Sequence, residues 1–296
     1  MVSLEPTKYY KHPKYPLIIC YFDTIDSTQL WVYNNIEDIK NKYNLSPNTW
    51  IAVTSNYMTS GIGTYNSKTN NNKRWYTIKG KNINISYITL CPLNNKETIK
   101  YSSLVGALSV SNILENIGIK SVKIKWINDI YVSGKKIGGI LCKLLTNIFT
   151  FDNNGEKQQY IPFIIGIGLN VLHNQDEIPI NIDYPATSVF LEKSKYEINP
   201  NICINEIENN LHFEIIKQFS QLYQNNSITS LLRQISDKLI FIGKMVSISY
   251  TDKDDDIEVI GIFEGIDNNG YAIIRTCDLG GKLIYVSHGT MRQINI

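Results

Sequence analysis

Histidine is scarce in this chain: four residues in 296, at His12, His173, His212 and His288. None lies where it could partner a nucleophile, so Ser/His or Cys/His chemistry has no support. Cysteine is nearly as sparse. The five residues (Cys20, Cys91, Cys142, Cys203, Cys277) are odd in number, widely spaced and without a Cys-x-x-Cys pair. That fits reduced thiols in an intracellular protein better than a disulfide framework or a zinc site. No apolar run reaches the roughly 18 residues that span a bilayer, and the N-terminus carries no signal-peptide pattern. A cytoplasmic location is the expectation, with an organelle left open. A dominant charge is also missing. The net charge is +2, which argues against a nucleic-acid partner held by bulk electrostatics. Neither DNA nor a membrane is expected as a partner.

What is present describes an ordinary globular chain, long enough for one large domain or two smaller ones. Asn, Ile, Lys and Tyr are heavily used, often in short runs such as Asn70-Asn71-Asn72. Such tracts bury too little apolar surface to order themselves and lengthen loops.

The stretch with the most to say runs Lys123-Ile124-Lys125-Trp126-Ile127-Asn128-Asp129-Ile130-Tyr131-Val132 and on through Gly134-Lys135-Lys136-Ile137-Gly138-Gly139-Ile140-Leu141. Two apolar runs flank a Gly-Lys-Lys turn, which reads as a β-hairpin. Strand propensity disfavours the Asn128-Asp129 pair in the first run. Lys125, Lys135 and Lys136 lie within a dozen residues of that Asp. Cations beside one carboxylate and one amide suit a phosphate and its Mg²⁺. An exposed hairpin with a charged turn is the plainer alternative.

The remaining segments read in order as follows. Residues 1–16 form an extended arm, and no helix-turn-helix precedes the first strand at Leu17–Phe22. Asp26-Ser27-Thr28 caps a helix through Leu30, Trp31 and Tyr33. Trp50–Thr54 is a strand that leads into Met58-Thr59-Ser60-Gly61-Ile62-Gly63-Thr64, a long Asn-rich loop, and Lys73-Arg74-Trp75. Gly80–Leu90 alternates as a half-buried strand. Leu104, Ala107, Leu108, Ser111 and Leu114 repeat at helical spacing, with Ser102 or Ser103 as cap and Gly118 as stop. Tyr160–Val171 is a buried strand whose Gly166 and Gly168 imply a close neighbour. Ile204, Ile207, Leu211, Ile215 and Leu222 mark a long amphipathic helix. Beyond about residue 237, short strands broken by Asp- and Gly-rich turns suggest a small all-β unit.

Lys125-Trp126-Ile127-Asn128-Asp129 followed by Lys136-Ile137-Gly138-Gly139-Ile140-Leu141 resembles the Lys-Trp-Pro-Asn-Asp … Lys-Leu-x-Gly-Ile-Leu signature of biotin protein ligases. Other landmarks keep the family's order. Asp26-Ser27-Thr28-Gln29 is similar to Asp-Ser-Thr-Asn, Gly61-Ile62-Gly63 … Trp75 to the Gly-Arg-Gly-Arg … Trp adenylate loop, and Gly80–Ser86 to Gly-x-Asn-Leu-Tyr-x-Ser. Ile165-Gly166-Ile167-Gly168-Leu169-Asn170 is similar to Ile-Gly-Ile-Gly-Ile-Asn, and Ala186-Thr187-Ser188-Val189 to the Ala-Thr-Ser-Leu that caps the next helix in many members. Gly243–Val246 and Gly261–Gly270 resemble the family's SH3-like C-terminal domain. The chain departs from the pattern at Ile127 for Pro, Met58 for Gln, Ile62 and Thr64 for Arg or Lys, and Lys143 where Glu is common. Lys68, Lys73 or Arg74 could reach back to replace the missing cations.

The resemblance implies an α+β fold: a class II synthetase-like mixed sheet with helices as the catalytic domain (1–236), then an SH3-like all-β C-terminal domain (237–296), the ligase-only form without a DNA-binding module. It implies two-step chemistry, in which ATP activates biotin to biotinyl-5′-AMP and a lysine of a biotin carboxyl carrier domain, such as that of acetyl-CoA carboxylase, takes the biotinyl group. Lys136, Lys125, Asp129 and Asn128 would be catalytic, with Asp129 holding Mg²⁺. Ser27, Thr28, Gly61, Gly63, Gly139, Leu141, Gly166 and Gly168 would bind biotin; Trp75, Arg74, Asn128, Lys136 and Asn170 would bind ATP. A lipoate-type ligase and a degenerate relative that binds without turnover are the alternatives, and a homodimer stays open.

Overall fold

The computed structural model describes residues 5–66, 71–153, 155–179, 184–197, 200–223, 228–252, 255–277 and 280–294. The chain opens with β1 (Lys8–Lys11), which pairs antiparallel with β2 (Leu17–Ile25). The expected arm is therefore partly an edge strand of the main sheet. Along β2, Leu17 and Ile19 join one hydrophobic cluster while Ile18, Cys20 and Phe22 join a second. Successive side chains point to opposite faces, and here both faces are covered. The Ser27 Oγ accepts from the Leu30 N–H at 3.4 Å and starts α1 (Thr28–Lys42).

β3 (Trp50–Met58) runs parallel to β2. The expected Asn-rich loop is instead a hairpin of β4 (Ile62–Asn66) and β5 (Asn71–Arg74); Lys68 and its neighbours lie outside the described residues. β6 (Asn82–Pro92) is buried along almost its whole length. A 3-10 helix over Leu93–Tyr101 leads straight into α2 (Ser102–Asn116). This corrects the cap: Tyr101 is the N-cap and no side chain bonds there, because the 3-10 turn already takes the Ser102 N–H on the Ile99 carbonyl.

The stretch read as one hairpin is three strands: β7 (Lys123–Lys125), β8 (Asp129–Val132) and β9 (Lys135–Leu144). Trp126–Asn128 fold back between β7 and β8. The Ile140 N–H donates to the Asn128 carbonyl (2.8 Å) and the Asn128 Nδ2 to the Ile140 carbonyl (2.7 Å), which pins that turn onto β9. The Trp126–Ile127 peptide is cis. Ser133 and Gly134 have φ of 52° and 73°, the two left-handed residues of a tight hairpin turn. Lys135 and Lys136 therefore begin β9 instead of lying in the turn.

β10 (Phe149–Asn153) pairs with β11 (Glu156–Asn170), which also pairs with β6 and β9. Ser188 caps the short α3 (Val189–Lys193), and α4 (Ile204–Leu222) and α5 (Ile228–Lys238) follow. Neither β10 nor α5 has a counterpart among the sequence expectations. Among the described residues the main sheet has nine strands, ordered β1-β2-β3-β6-β11-β9-β8-β7 with β10 beside β11. Leu104 and Leu108 of α2, Leu211 and Ile215 of α4 and Ile235 of α5 cover one face; Val32 and Ile39 of α1 cover the other.

The chain ends in an antiparallel sheet of β12 (Met245–Asp252), β13 (Asp255–Ile266), β14 (Ala272–Arg275), β15 (Leu283–Val286) and β16 (Thr290–Gln293), ordered β15-β14-β13-β12-β16. It docks through its β13–β14 turn. The buried Trp126 indole donates to the Gly270 carbonyl (3.0 Å) and the Tyr101 hydroxyl to the Asn268 carbonyl (2.9 Å). One hydrophobic cluster runs through both sheets. No helix of the described residues is long and apolar enough to cross a membrane.

Candidate active site

Strand register assembles the site. Gly168 of β11 faces Gly139 of β9, and Gly139 faces Asp129 of β8. Two residues away, Gly166 faces both Leu141 and Ser86. A cavity of about 440 Å³ lies over this crossing and is lined by every residue to which the resemblance gave a catalytic, biotin-binding or ATP-binding role except Gly61; Lys135 is not on its wall.

On the cavity wall the Ser27 hydroxyl caps α1 and donates to no partner among the described residues. The Thr28 and Ser86 hydroxyls are hydrogen-bonded at 2.9 Å, and Thr28 also donates to the Met58 sulfur at 3.8 Å. Gln29 donates to the Leu141 carbonyl (2.9 Å) and lies against Gly166. These are buried groups.

Charge is concentrated at the middle. Asp129 takes the Lys136 Nζ on Oδ1 at 2.6 Å and the Lys125 Nζ on Oδ2 at 3.2 Å. Burial alone would raise this carboxyl, but Lys136 and then Lys125 outweigh it, so its pKa lies below the ordinary carboxylate value. Lys125 is 3% exposed; its Nζ sits 4.1 Å from the centre of the Tyr184 ring, a cation–π contact. Lys136 is clamped through its backbone, its N–H donating to the Pro185 carbonyl (2.8 Å) and its carbonyl accepting from Thr187 (2.9 Å).

The glycines answer to neighbouring residues. A methyl group on Gly168 would overlap the Trp75 indole, and one on Gly61 would come within 2.6 Å of the Trp75 carbonyl. Trp75 lies flat against β11, with its Nε1 donating to Asn84 Oδ1 at 3.1 Å. Gly61 thus serves the β4–β5 packing and stands behind the wall. Gly168→Ala is expected to overpack this contact and to lower stability by about 1–3 kcal/mol. Urea unfolding reads the change; a wild-type midpoint would mean that the indole moves aside freely.

Asn170 also lies on the wall, but its amide is engaged: Oδ1 accepts from Asn82 (3.1 Å) and Nδ2 donates to the Thr187 carbonyl (3.1 Å). Arg74 is at the rim, donating to the Thr59 carbonyl at 3.2 Å. Lys73 does line the cavity, where burial and then the like charge of Lys125 hold its pKa below the usual lysine value, against the pull of Tyr184 and Asp129. Met58, Ile62 and Thr64, the departures from the adenylate loop, are on the wall as well. Lys143 is accounted for elsewhere: its Nζ stacks 3.8 Å above the Tyr33 ring.

Sequence reasoning missed Gln29, His173 and Tyr184, and it missed Thr290 and Met291 of β16, which reach the cavity from the second sheet. Tyr184 ties the two sheets together, accepting from the Arg292 Nε at 3.1 Å. Nothing in a single sequence marks these contacts, because each joins segments far apart in the chain.

The family model for the biotin/lipoate A/B protein ligases matches residues 61–152, the span that holds the β4–β5 hairpin and the Lys125–Asp129–Lys136 cluster. The bifunctional ligase/repressor BirA of Escherichia coli is 22% identical over 251 residues, covering 84% of this chain and 67% of BirA. The biotin protein ligase of Aquifex aeolicus, solved with biotin and ATP, shares the fold with a TM-score of 0.68 at 23% identity, over 93% of this chain and 99% of that one. The Leishmania major enzyme, solved with biotinyl-5-AMP, does so with a TM-score of 0.53 at 16% identity, over 96% and 100%. Residues 61–152 thus match the biotin/lipoate A/B protein ligase family, and the chain as a whole shares the fold of biotin protein ligases.

Proposed function

We propose that this protein activates biotin with ATP and transfers the biotinyl group to a lysine of a biotin carboxyl carrier domain. The observation that carries the reading is the Lys125–Asp129–Lys136 cluster on the wall of one cavity, with the buried Ser27, Thr28 and Ser86 hydroxyls on the same wall two strand residues further along β11. Biotin has a polar ring at one end and a carboxylate at the other. The ring fits the hydroxyls, and the carboxylate then lies beside the lysines.

In the first step a biotin carboxylate oxygen attacks the α-phosphorus of ATP and pyrophosphate leaves, giving biotinyl-5′-AMP. Two anions must meet, so a cation that touches both is the main requirement. Lys136 fills that role; Lys125 supports it through the shared Asp129. Trp75 offers a flat face to the adenylate. In the second step the neutral amine of the carrier lysine attacks the anhydride carbonyl, and AMP leaves.

Asp129 is the one carboxylate lining the cavity among the described residues, and both its oxygens already accept from lysines. No group of three His, Cys, Asp or Glu converges there among the described residues. This donor set does not fit a protein-built metal cage, but it fits Mg²⁺ that arrives on the triphosphate. Such an ion would screen phosphate charge, with Asp129 and the Asn128 side-chain oxygen as the hard oxygens at hand.

The test is to mix the protein with biotin, ATP and Mg²⁺ and follow biotinyl-5′-AMP and pyrophosphate by mass spectrometry. Adenylate that appears only with biotin supports the reading; biotin binding without adenylate would leave a binding relative instead. Ile62 and Thr64 put no cation where the family has Arg or Lys, which favours a ligase that holds its intermediate loosely. Thr64→Arg is expected to slow escape of biotinyl-5′-AMP about ten-fold, the scale of one charge-assisted bond. An unchanged dissociation rate counts against that account.

A further inference from the structure

His173 follows β11 at the end of the cavity opposite the hydroxyls. It is 2% exposed, and neither ring nitrogen has a hydrogen-bond partner among the described residues. Buried polar side chains are nearly always paired, so a doubly orphaned imidazole on a cavity wall calls for a ligand. The residue is not loosely held. Its carbonyl accepts from the Ser188 Oγ at 2.7 Å, and the N–H groups of Val171 and Leu172 just before it both donate to the Lys81 carbonyl at 3.0 Å. Beside it the cavity is lined by Ile178 and Pro179, with Trp75 and Tyr76 also on the wall. Burial depresses its pKa, with Glu177 opposing and Lys81 adding to the effect, so the ring is neutral and carries one donor and one acceptor.

The order of groups along β11 says what reaches it. Gly166 marks the hydroxyl end, Gly168 faces Gly139 and through it Asp129, and Asn170 precedes the His173 turn. Each pair of strand residues advances roughly 7 Å. If the acyl-phosphate junction forms at the charged middle and the acid extends toward the hydroxyls, the nucleoside must extend toward His173. This step rests on the function proposed above. Apolar walls, aromatic faces and one acceptor nitrogen make a complement to a flat base that carries an amino group.

We propose that His173 hydrogen-bonds the base of the bound nucleotide, accepting from the 6-amino group of adenine, and so sets the preference of this site for ATP.

Calorimetry with ATP and with purine riboside triphosphate, which lacks the 6-amino group, tests the assignment without requiring turnover. The wild type is expected to bind ATP about ten-fold more tightly than the analogue, the scale on which a site built for a hydrogen bond rejects a ligand lacking it. His173→Phe should weaken ATP about ten-fold, erase the preference and leave biotin affinity unchanged. His173→Asn and His173→Gln keep an acceptor near the Nδ1 and Nε2 positions, so one of them should retain the preference. They also cover the case in which the Phe variant does not fold. A preference that survives in His173→Phe, its absence in the wild type, or an equal loss of biotin affinity overturns the proposal. If instead these results hold but biotin and ATP yield no pyrophosphate, the ligase reading fails while the base contact stands.

Discussion

Lys136→Ala lowers the rate of adenylate formation by roughly 10²–10³, the scale for removing one preorganised electrostatic group from a transition state. The expectation follows from where the ammonium is held. Asp129 fixes it at 2.6 Å from one side, and the Pro185 and Thr187 backbone fixes the strand that carries it. Its side chain keeps about a quarter of its surface exposed, at 27%, whereas Lys125 keeps 3%. Lys136 is thus the cation that can turn from Asp129 toward an incoming carboxylate and phosphate, while Lys125 stays packed under Tyr184. Single-turnover pyrophosphate release measures the step directly, and biotin affinity measured beside it should move far less. A near-wild-type rate would remove Lys136 from the chemistry and shift attention to Lys73, the other half-buried cation on the wall.

Signals carried within a few residues were legible in the sequence. Ser27 and Ser188 cap helices as expected, and the apolar run at β11 is a buried strand. β6, whose alternation reads as a half-buried strand, is instead buried on both faces, because helices cover both sides of the sheet. The turn at Trp126–Asn128 was not legible. No Gly or Pro interrupts Lys123–Val132, and the turn is held by Asn128 bonding to Ile140, a dozen residues away. The β4–β5 hairpin hid for the opposite reason, because its Asn-rich composition reads as loop. Gly166 and Gly168 did announce a close neighbour, but only the fold identifies it as Gln29 and Trp75. His173 lay in plain view as one of four histidines, yet what sets it apart is two buried nitrogens without a partner among the described residues, and pairing is a property of the folded chain.

Asp129→Ala should destabilise the protein by about 3–5 kcal/mol, because it removes one partner from a buried ionic cluster and leaves the other charged. Lys125 would then sit almost fully buried beside the Tyr184 and Tyr131 rings with no carboxylate. The pH dependence has a definite sign. The folded carboxyl lies below its ordinary value of 3.8, so the native state binds fewer protons than the unfolded state as pH falls through that region. Its contribution is complete above the unfolded pKa and is lost as pH falls through the lower folded one, which confines the effect to the acid side of about pH 4. Urea midpoints at neutral pH and at pH 3 should therefore differ more for the wild type than for the variant. The double variant Lys125→Met, Asp129→Leu separates stability from chemistry. Replacing a buried pair with apolar side chains of similar volume is often neutral or stabilising, so it should recover most of the lost stability while adenylation stays at the level of Lys136→Ala or below. If the double variant stays as unstable as Asp129→Ala, burial of Lys125 is not the source of the cost. The carboxylate would then matter to the fold mainly through Lys136 and the β8–β9 pairing it spans.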